Sequence, residues 1–116
     1  MDATRKEWLQ AAGINVDGAL DRFMGNESML ERFLGRFLEE KSYASLAAAV
    51  AADDAAGAAA AVHTLKSVCG SLGCERMQQL ALAQEAKMRA DDWAGAKAMM
   101  PELAEEYERI CAALRG

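Results

Sequence analysis

Apolar side chains recur along most of the chain at intervals of three and four residues, the spacing that places them on one face of an α-helix. The final segment repeats these intervals without interruption, at Trp93, Ala96, Met100, Leu103, Tyr107, Ile110 and Leu114. This seam predicts a helix over 92–114 that packs nearly parallel or antiparallel to its neighbours. Pro101 either kinks this helix or marks the start of its regular part, and the unbroken register favours a kink.

Three more long helices are predicted from the same periodicity. A helix over 27–51 is indicated by an apolar stripe at Leu30, Phe33, Leu34, Phe37, Leu38, Leu46 and Val50. A helix over 53–72 follows, and Gly73 suits its end because glycine tolerates the left-handed conformation that closes a helix. The helix over 74–90 carries one row of side chains at Met77, Leu80, Ala81, Gln84 and Met88.

Two short helices are predicted ahead of these, over 4–11 and over 17–24, where Asp17 suits an N-cap. Short connections between long amphipathic helices favour antiparallel neighbours. We therefore expect an all-α fold, an antiparallel up-down four-helix bundle with one or two short N-terminal helices. At 116 residues the chain fits a single domain, 1–116.

The composition narrows the classes of partner. The chain is 53% hydrophobic and carries a net charge of −5, and since nucleic-acid-binding proteins usually present a basic face, no nucleic acid is expected. No apolar run approaches the roughly 18 residues of a membrane span, and residues 1–5 lack the apolar stretch of a signal peptide. Cys69, Cys74 and Cys111 form no CxxC pair, which favours buried free thiols and a cytoplasmic location.

The chain contains one histidine, His63, in the middle of the 53–72 helix. A lone histidine in a helical protein is most often a core or surface residue without a functional role. His63, however, falls nearly opposite the apolar stripe of its helix, which comprises Ala58, Ala61, Val62, Leu65, Val68, Cys69 and Leu72. Apart from Lys66, the neighbours on the outer face are small: Ala56, Ala59, Ala60, Ser67 and Gly70. This pattern predicts an exposed imidazole that another protein can approach.

An exposed imidazole suits nucleophilic chemistry, because the unperturbed pKa of histidine is about 6.5 and its neutral form is nucleophilic near pH 7. Lys66 lies about one turn along and can place an ammonium near a phosphoryl group on the ring, although it can equally be a solvated lysine. Glycine inside a helix is unfavourable, so Gly70 indicates either that a partner approaches this face closely or only that the helix ends nearby, where the cost is smaller. On the following helix, Glu85 or Gln84 can orient the ring, and helical phase places Gln84 nearer the buried stripe.

The segment His63-Thr64-Leu65-Lys66-Ser67-Val68-Cys69-Gly70-Ser71-Leu72-Gly73 resembles the signature of histidine-containing phosphotransfer (HPt) domains, roughly His-x-Leu-Lys-Gly-x-x-Gly-x-x-Gly. Residues 17–40, with Gly-Asn-Glu ahead of a Leu/Phe-rich helix, are similar to the N-terminal half of that family. The resemblance therefore extends over about 14–114. One position departs from the signature, because Ser67 stands where the family usually has glycine.

The resemblance implies a phosphorelay carrier. His63 would accept a phosphoryl group from the aspartate of one receiver domain and pass it to another, with Lys66 as charge partner of the phosphoryl group. The implied partners are receiver domains of response regulators and of hybrid sensor histidine kinases, which would supply the Mg²⁺, so no cofactor of its own is expected. The implied docking surface is the His63 face with part of the 27–51 or 74–90 helix, and it includes Ala56, Ala59, Ala60, Thr64, Ser67 and Gly70.

Three alternatives remain from the residues. The first is a helical binding module without phosphotransfer. The second is a metal- or cofactor-binding bundle, which the single histidine disfavours, as do carboxylates expected on solvated faces, namely Glu39, Glu40, Glu105 and Glu106. The third is an enzyme with a Cys–His pair, but Cys69 lies about 120° around the helix from His63, and no Gly-rich phosphate loop for ATP is present.

Overall fold

The computed structural model describes all 116 residues and contains eight α-helices. In chain order they are α1 (Ala3–Ala11), α2 (Val16–Arg22), α3 (Glu27–Phe37), α4 (Ser42–Ala51), α5 (Ala55–Leu72), α6 (Glu75–Arg89), α7 (Trp93–Ala98) and α8 (Met100–Arg115). The only β-type pairing is an isolated bridge between Ile14 and Cys74, so the predicted all-α class is confirmed. None of the helices combines the length and apolar character that crossing a membrane requires.

Helix α5 lies at the centre of the packing. It runs along α4 and along α6, and it also contacts α2 and α3, while α6 packs against α7 and α8. A continuous apolar core passes through these contacts, with its largest buried side chains at Phe37, Leu46, Leu65, Met77 and Leu103. The packing fixes α5 in place and leaves one of its faces at the surface.

The ends of α5 are fixed by local interactions. At its start, the Asp54 carboxylate accepts a hydrogen bond from the Gly57 N–H at 3.0 Å, as an N-cap does. At its end, Gly73 has a φ of +77°, and a Cβ there would lie 2.5 Å from the Asn15 carbonyl oxygen. The predicted role of Gly73 is therefore confirmed, and the glycine also lets the segment before α2 approach closely.

The prediction of one helix over 27–51 is wrong, because the structure divides this segment into α3 and α4. The Glu40 carboxylate accepts hydrogen bonds from the Ser42 hydroxyl and from the Ser42 backbone N–H, the latter at 2.9 Å. These bonds satisfy a donor at the start of a new helix, which stabilises the break. The start predicted for α2 is also displaced, since Asn15 rather than Asp17 provides the capping oxygen.

The helix predicted over 92–114 is interrupted at Met99, which separates α7 from α8. Pro101 falls in the first turn of α8, where its missing N–H costs little, so a new helix start replaces the favoured kink. The predicted seam still faces inward. Ala96, Leu103 and Ile110 are buried, and Trp93, Met100, Tyr107 and Leu114 are partly buried against the core.

Candidate functional site

His63 lies on the outer face of α5, as the helical periodicity predicted, and its side chain is 61% exposed. The opposite face of α5 is buried at Ala58, Ala61, Val62, Leu65, Cys69 and Leu72. Val68, predicted among them, is only partly buried. The histidine is thus carried by the most firmly packed helix of the molecule, so its backbone position is fixed while its ring faces outward.

A buried carboxylate of α6 holds the inner edge of the imidazole. The Glu85 side chain is only 7% exposed, and its Oε2 lies 2.9 Å from His63 Nδ1. Its other oxygen, Oε1, accepts a hydrogen bond from Lys66 Nζ at 2.9 Å. His63 and Lys66 are therefore tied to one carboxylate, one to each oxygen.

The Glu85 contact favours one tautomer of the imidazole. An ionised carboxylate only accepts hydrogen bonds, so a neutral ring that bonds Glu85 carries its proton on Nδ1 and its lone pair on Nε2. The Lys66 ammonium lies 3.4 Å from Nδ1, which is proximity of two donors rather than a hydrogen bond between them. The hydrogen bonds from Lys66 and from His63 hold the pKa of Glu85 below the ordinary value of 4.5, against the opposing effect of burial.

Two further side chains clarify what the sequence left open. Gln84 is buried in the core, where its amide donates to the Ala96 carbonyl at 3.0 Å, so Glu85 and not Gln84 contacts the imidazole. Arg89, which the sequence reasoning missed, places Nη2 3.5 Å from Glu85 Oε1 and is 72% exposed. Its position four residues after Glu85 on a helix was the available signal.

The Hpt domain family matches residues 28–113 of the chain, a segment that includes His63, Lys66 and Glu85. This chain belongs to the Hpt domain family. Hpt domains are phosphocarriers of two-component signalling, in which a histidine carries the phosphoryl group. No curated protein and no solved structure matches the chain.

The residues expected to surround the histidine of this Hpt domain fall into two groups. Ala56, Ala59 and Ala60 line a groove of about 710 Å³ that has His63 and Glu85 in its wall. We call it the alanine groove, and its apolar lining comprises Ala55, Ala56, Ala59, Ala60, Met88 and Trp93.

On the other half of α5, the small residues make contacts within the molecule. The Ser67 hydroxyl donates to the His63 carbonyl at 3.2 Å, so it is turned back onto the helix. The Thr64 hydroxyl donates to the Ala60 carbonyl at 3.3 Å in the same way. A Cβ on Gly70 would lie 2.5 Å from the Gln78 side-chain amide nitrogen, so a larger residue at this position requires the end of the Gln78 side chain to shift.

The alternatives based on other side chains receive no support from the geometry. No group of three or more His, Cys, Asp or Glu residues is arranged to hold a metal ion. Glu106, expected on a solvated face, is buried instead and binds the Arg109 guanidinium at 2.6 Å and 2.9 Å. Cys69 is buried among the core residues, and its contact with the Cys74 thiol together with burial raises the pKa of the Cys69 thiol, which disfavours a reactive thiolate.

Proposed function

We propose that this Hpt domain is a phosphorelay carrier that accepts a phosphoryl group on His63 from a receiver-domain aspartate and passes it to another receiver domain. The observation that carries the proposal is the contact between the exposed His63 ring and the buried Glu85 carboxylate, at 2.9 Å. A nucleophilic nitrogen needs a free lone pair and a fixed direction. The Glu85 contact supplies both, because it holds the proton on Nδ1 and restrains rotation of the ring.

In the forward step, the lone pair of His63 Nε2 attacks the phosphorus of the aspartyl phosphate in line with the bond that breaks. The phosphorus–oxygen bond to the aspartyl group breaks, and the aspartate leaves as a carboxylate. The Nδ1 proton stays in place, so the ring gains positive charge as the new nitrogen–phosphorus bond forms. The Glu85 carboxylate faces that charge and stabilises it. Donation to the second receiver is the same step in reverse.

We assign to Lys66 the role of stabilising the negative charge of the phosphoryl group during transfer. Its ammonium lies within about one turn of the ring but is only 19% exposed, since Glu85 holds it. In this arrangement Lys66 neutralises Glu85 in the resting state and provides positive charge close to the phosphoryl oxygens during transfer. The Mg²⁺ that stabilises the remaining charge belongs to the receiver domain in this proposal, so the carrier itself needs no ATP and no cofactor.

The test is transfer from purified receiver domains. A panel of receiver domains is phosphorylated with radiolabelled acetyl phosphate, separated from it, and mixed with the wild-type chain, with His63→Gln and with Ser71→Ala, an exposed control position on the same helix. We expect acid-labile label on the wild type and on Ser71→Ala, and none on His63→Gln. Equal labelling of His63→Gln would overturn the assignment, and labelling of no variant by any receiver would favour the alternative of a helical binding module without phosphotransfer.

A further inference from the structure

The surface around His63 is not symmetric along α5. Towards the N-terminal end of the helix, the alanine groove opens directly beside the imidazole, and both His63 and Glu85 form part of its wall. A protein that brings an aspartyl phosphate within bonding distance of His63 must therefore cover the end of this groove. The groove is continuous with the phosphotransfer site by shared residues rather than by proximity alone.

The alanine groove has a preformed wall. Trp93 donates a hydrogen bond from its indole Nε1 to Asp53 Oδ1 at 3.1 Å, and Lys97 Nζ bonds the same oxygen at 2.9 Å. The Lys97 ammonium also lies 5.7 Å from the centre of the Trp93 ring. These contacts hold the indole in position between the α4–α5 turn and α7. A wall that is already fixed loses little side-chain entropy when a partner binds.

The C-terminal half of the same face is less suited to receive a partner close to the ring. Gln78 of α6 covers Gly70, and Ser67 is turned back onto its own helix. A second apolar area lies farther along, where Phe33 is 37% exposed and tilts against Phe23 with ring centroids 5.4 Å apart. Phe33, which the sequence pattern placed in the apolar stripe of its helix, lines that area. His63 does not line it.

The apolar residues of the groove indicate the chemistry of its occupant. Six of its ten lining residues are apolar. The charged ones are Arg89, which lies 3.5 Å from Glu85, Glu85 itself, and Asp91 in the turn after α6, so both signs of charge are present. An apolar segment would fill this lining, with polar groups at its edge beside Arg89 and Asp91.

We propose that the receiver domain docks asymmetrically on this chain, over the N-terminal half of α5, with an apolar segment seated in the alanine groove. This inference rests on the proposed function, since it names the surface by which the phosphoryl donor or acceptor reaches His63. Receiver specificity is then set by the groove residues and Arg89, while the chemistry is set by His63, Glu85 and Lys66.

Two matched variants test the direction of docking. Ala56→Arg places a bulky cation in the groove seven residues before His63, and Ser71→Arg places the same side chain eight residues after it on the same helix. Both positions are exposed, so neither substitution disturbs the core. The receiver domain that transfers fastest to the wild type is used as donor, and phosphoramidate, a small donor that needs no docking surface, reports the chemistry of His63 alone.

We expect Ala56→Arg to lower kcat/KM for transfer from the receiver at least tenfold, mainly through KM, and Ser71→Arg to change it less than about threefold. Both variants should react with phosphoramidate at the wild-type rate. Equal transfer by Ala56→Arg and wild type, or a larger loss in Ser71→Arg, overturns the asymmetric docking while the proposed function stands. Failure of the wild type to accept phosphate from any receiver overturns the proposed function itself.

A binding measurement gives an independent readout. In a Trp8→Phe background, Trp93 is the only remaining tryptophan, and it lies in the groove wall. Addition of the unphosphorylated receiver should shift the Trp93 emission, and the shift should be half-maximal near the receiver concentration that equals the KM for transfer. Binding without any change in that emission contradicts occupation of the groove.

Discussion

At the scale of single residues, the two oxygens of Glu85 meet two different donors. One oxygen orients the imidazole and the other neutralises an ammonium, each at 2.9 Å. Replacing Glu85 with glutamine removes the negative charge from both contacts at once and changes the size of the side chain very little. The ring and Lys66 therefore respond together to any change at position 85.

We expect Glu85→Gln to slow phosphorylation of His63 by roughly 10- to 100-fold, because a hydrogen bond to a charged group contributes about 1.5–3 kcal/mol. The amide also turns a donor towards either His63 or Lys66, so one of the two contacts is lost. Rates of transfer from the receiver and from phosphoramidate measure the effect. The exposed Glu105→Gln is the control, and an unchanged rate in Glu85→Gln would contradict the positioning role.

The lowered pKa of Glu85 makes a separate prediction about stability. A carboxyl group with a folded-state pKa below its ordinary 4.5 stabilises the fold above that pH, and the stabilisation is lost as the pH falls through the folded-state pKa. The difference in free energy of unfolding between wild type and Glu85→Gln should therefore be constant near pH 7 and shrink below about pH 4.5. Urea unfolding of both proteins from pH 7 to pH 3 measures this difference in free energy. A difference that grows on acidification would contradict the prediction.

The sequence was sufficient to predict that His63 faces outward, but not which side chain of α6 contacts its ring. His63 is the only histidine, and the phase of a long regular helix determines on which side it lies. Gln84 lies in the apolar row of α6, and Glu85, about 100° around the helix, lies at its edge, so each could approach a neighbouring helix. Which of them reaches the imidazole depends on how α6 lies against α5, and a helical wheel for one helix contains no such information.

At the scale of helices, the regular parts were predictable and two of the interruptions were not. The bounds of α5 and α6 lie within two residues of the prediction, because Asp54 and Gly73 are strong boundary signals. The break between α3 and α4 has no glycine or proline. The Glu40 side chain bonds Ser42 there, and this contact leaves no trace in the hydrophobic periodicity.

The turn after α5 provides a prediction with an internal control. Gly73→Ala should lower the free energy of unfolding by about 1–3 kcal/mol, because its φ is +77° and the new Cβ would meet the backbone oxygen of Asn15. Gly35→Ala, in the last turn of α3 with open space around it, should be neutral or stabilise by up to about 1 kcal/mol. Urea unfolding compares the two, and an equal loss in both would show that general helix effects, not the Gly73 conformation, are responsible.

At the scale of the whole molecule, the first two helices lie outside the segment that the Hpt family matches, yet they belong to the core. Leu9 of α1 and Val16 at the start of α2 are fully buried in the same apolar cluster as Leu65 and Leu103. Trp8 adds a hydrogen bond from its indole to the Ala113 carbonyl of α8 at 2.8 Å. The N-terminal helices and the last helix therefore stabilise each other across nearly the full length of the chain.

This packing predicts that the chain unfolds as one cooperative unit. Leu9→Ala should lower the free energy of unfolding by about 2–5 kcal/mol, the usual cost of a cavity at a buried leucine, and should leave a single transition. Urea unfolding is followed in the Trp8→Phe background, in parallel by far-UV circular dichroism, which reports all helices, and by the emission of Trp93 at the start of α7. Since α1 contacts α2 and α8 directly, we expect these helices to unfold together. If α1 unfolded alone, the circular dichroism would change early while the Trp93 signal stayed intact. Such a separation would mean that the N-terminal helices are an appendage, and that the helices carrying His63 and Glu85 hold their geometry without them.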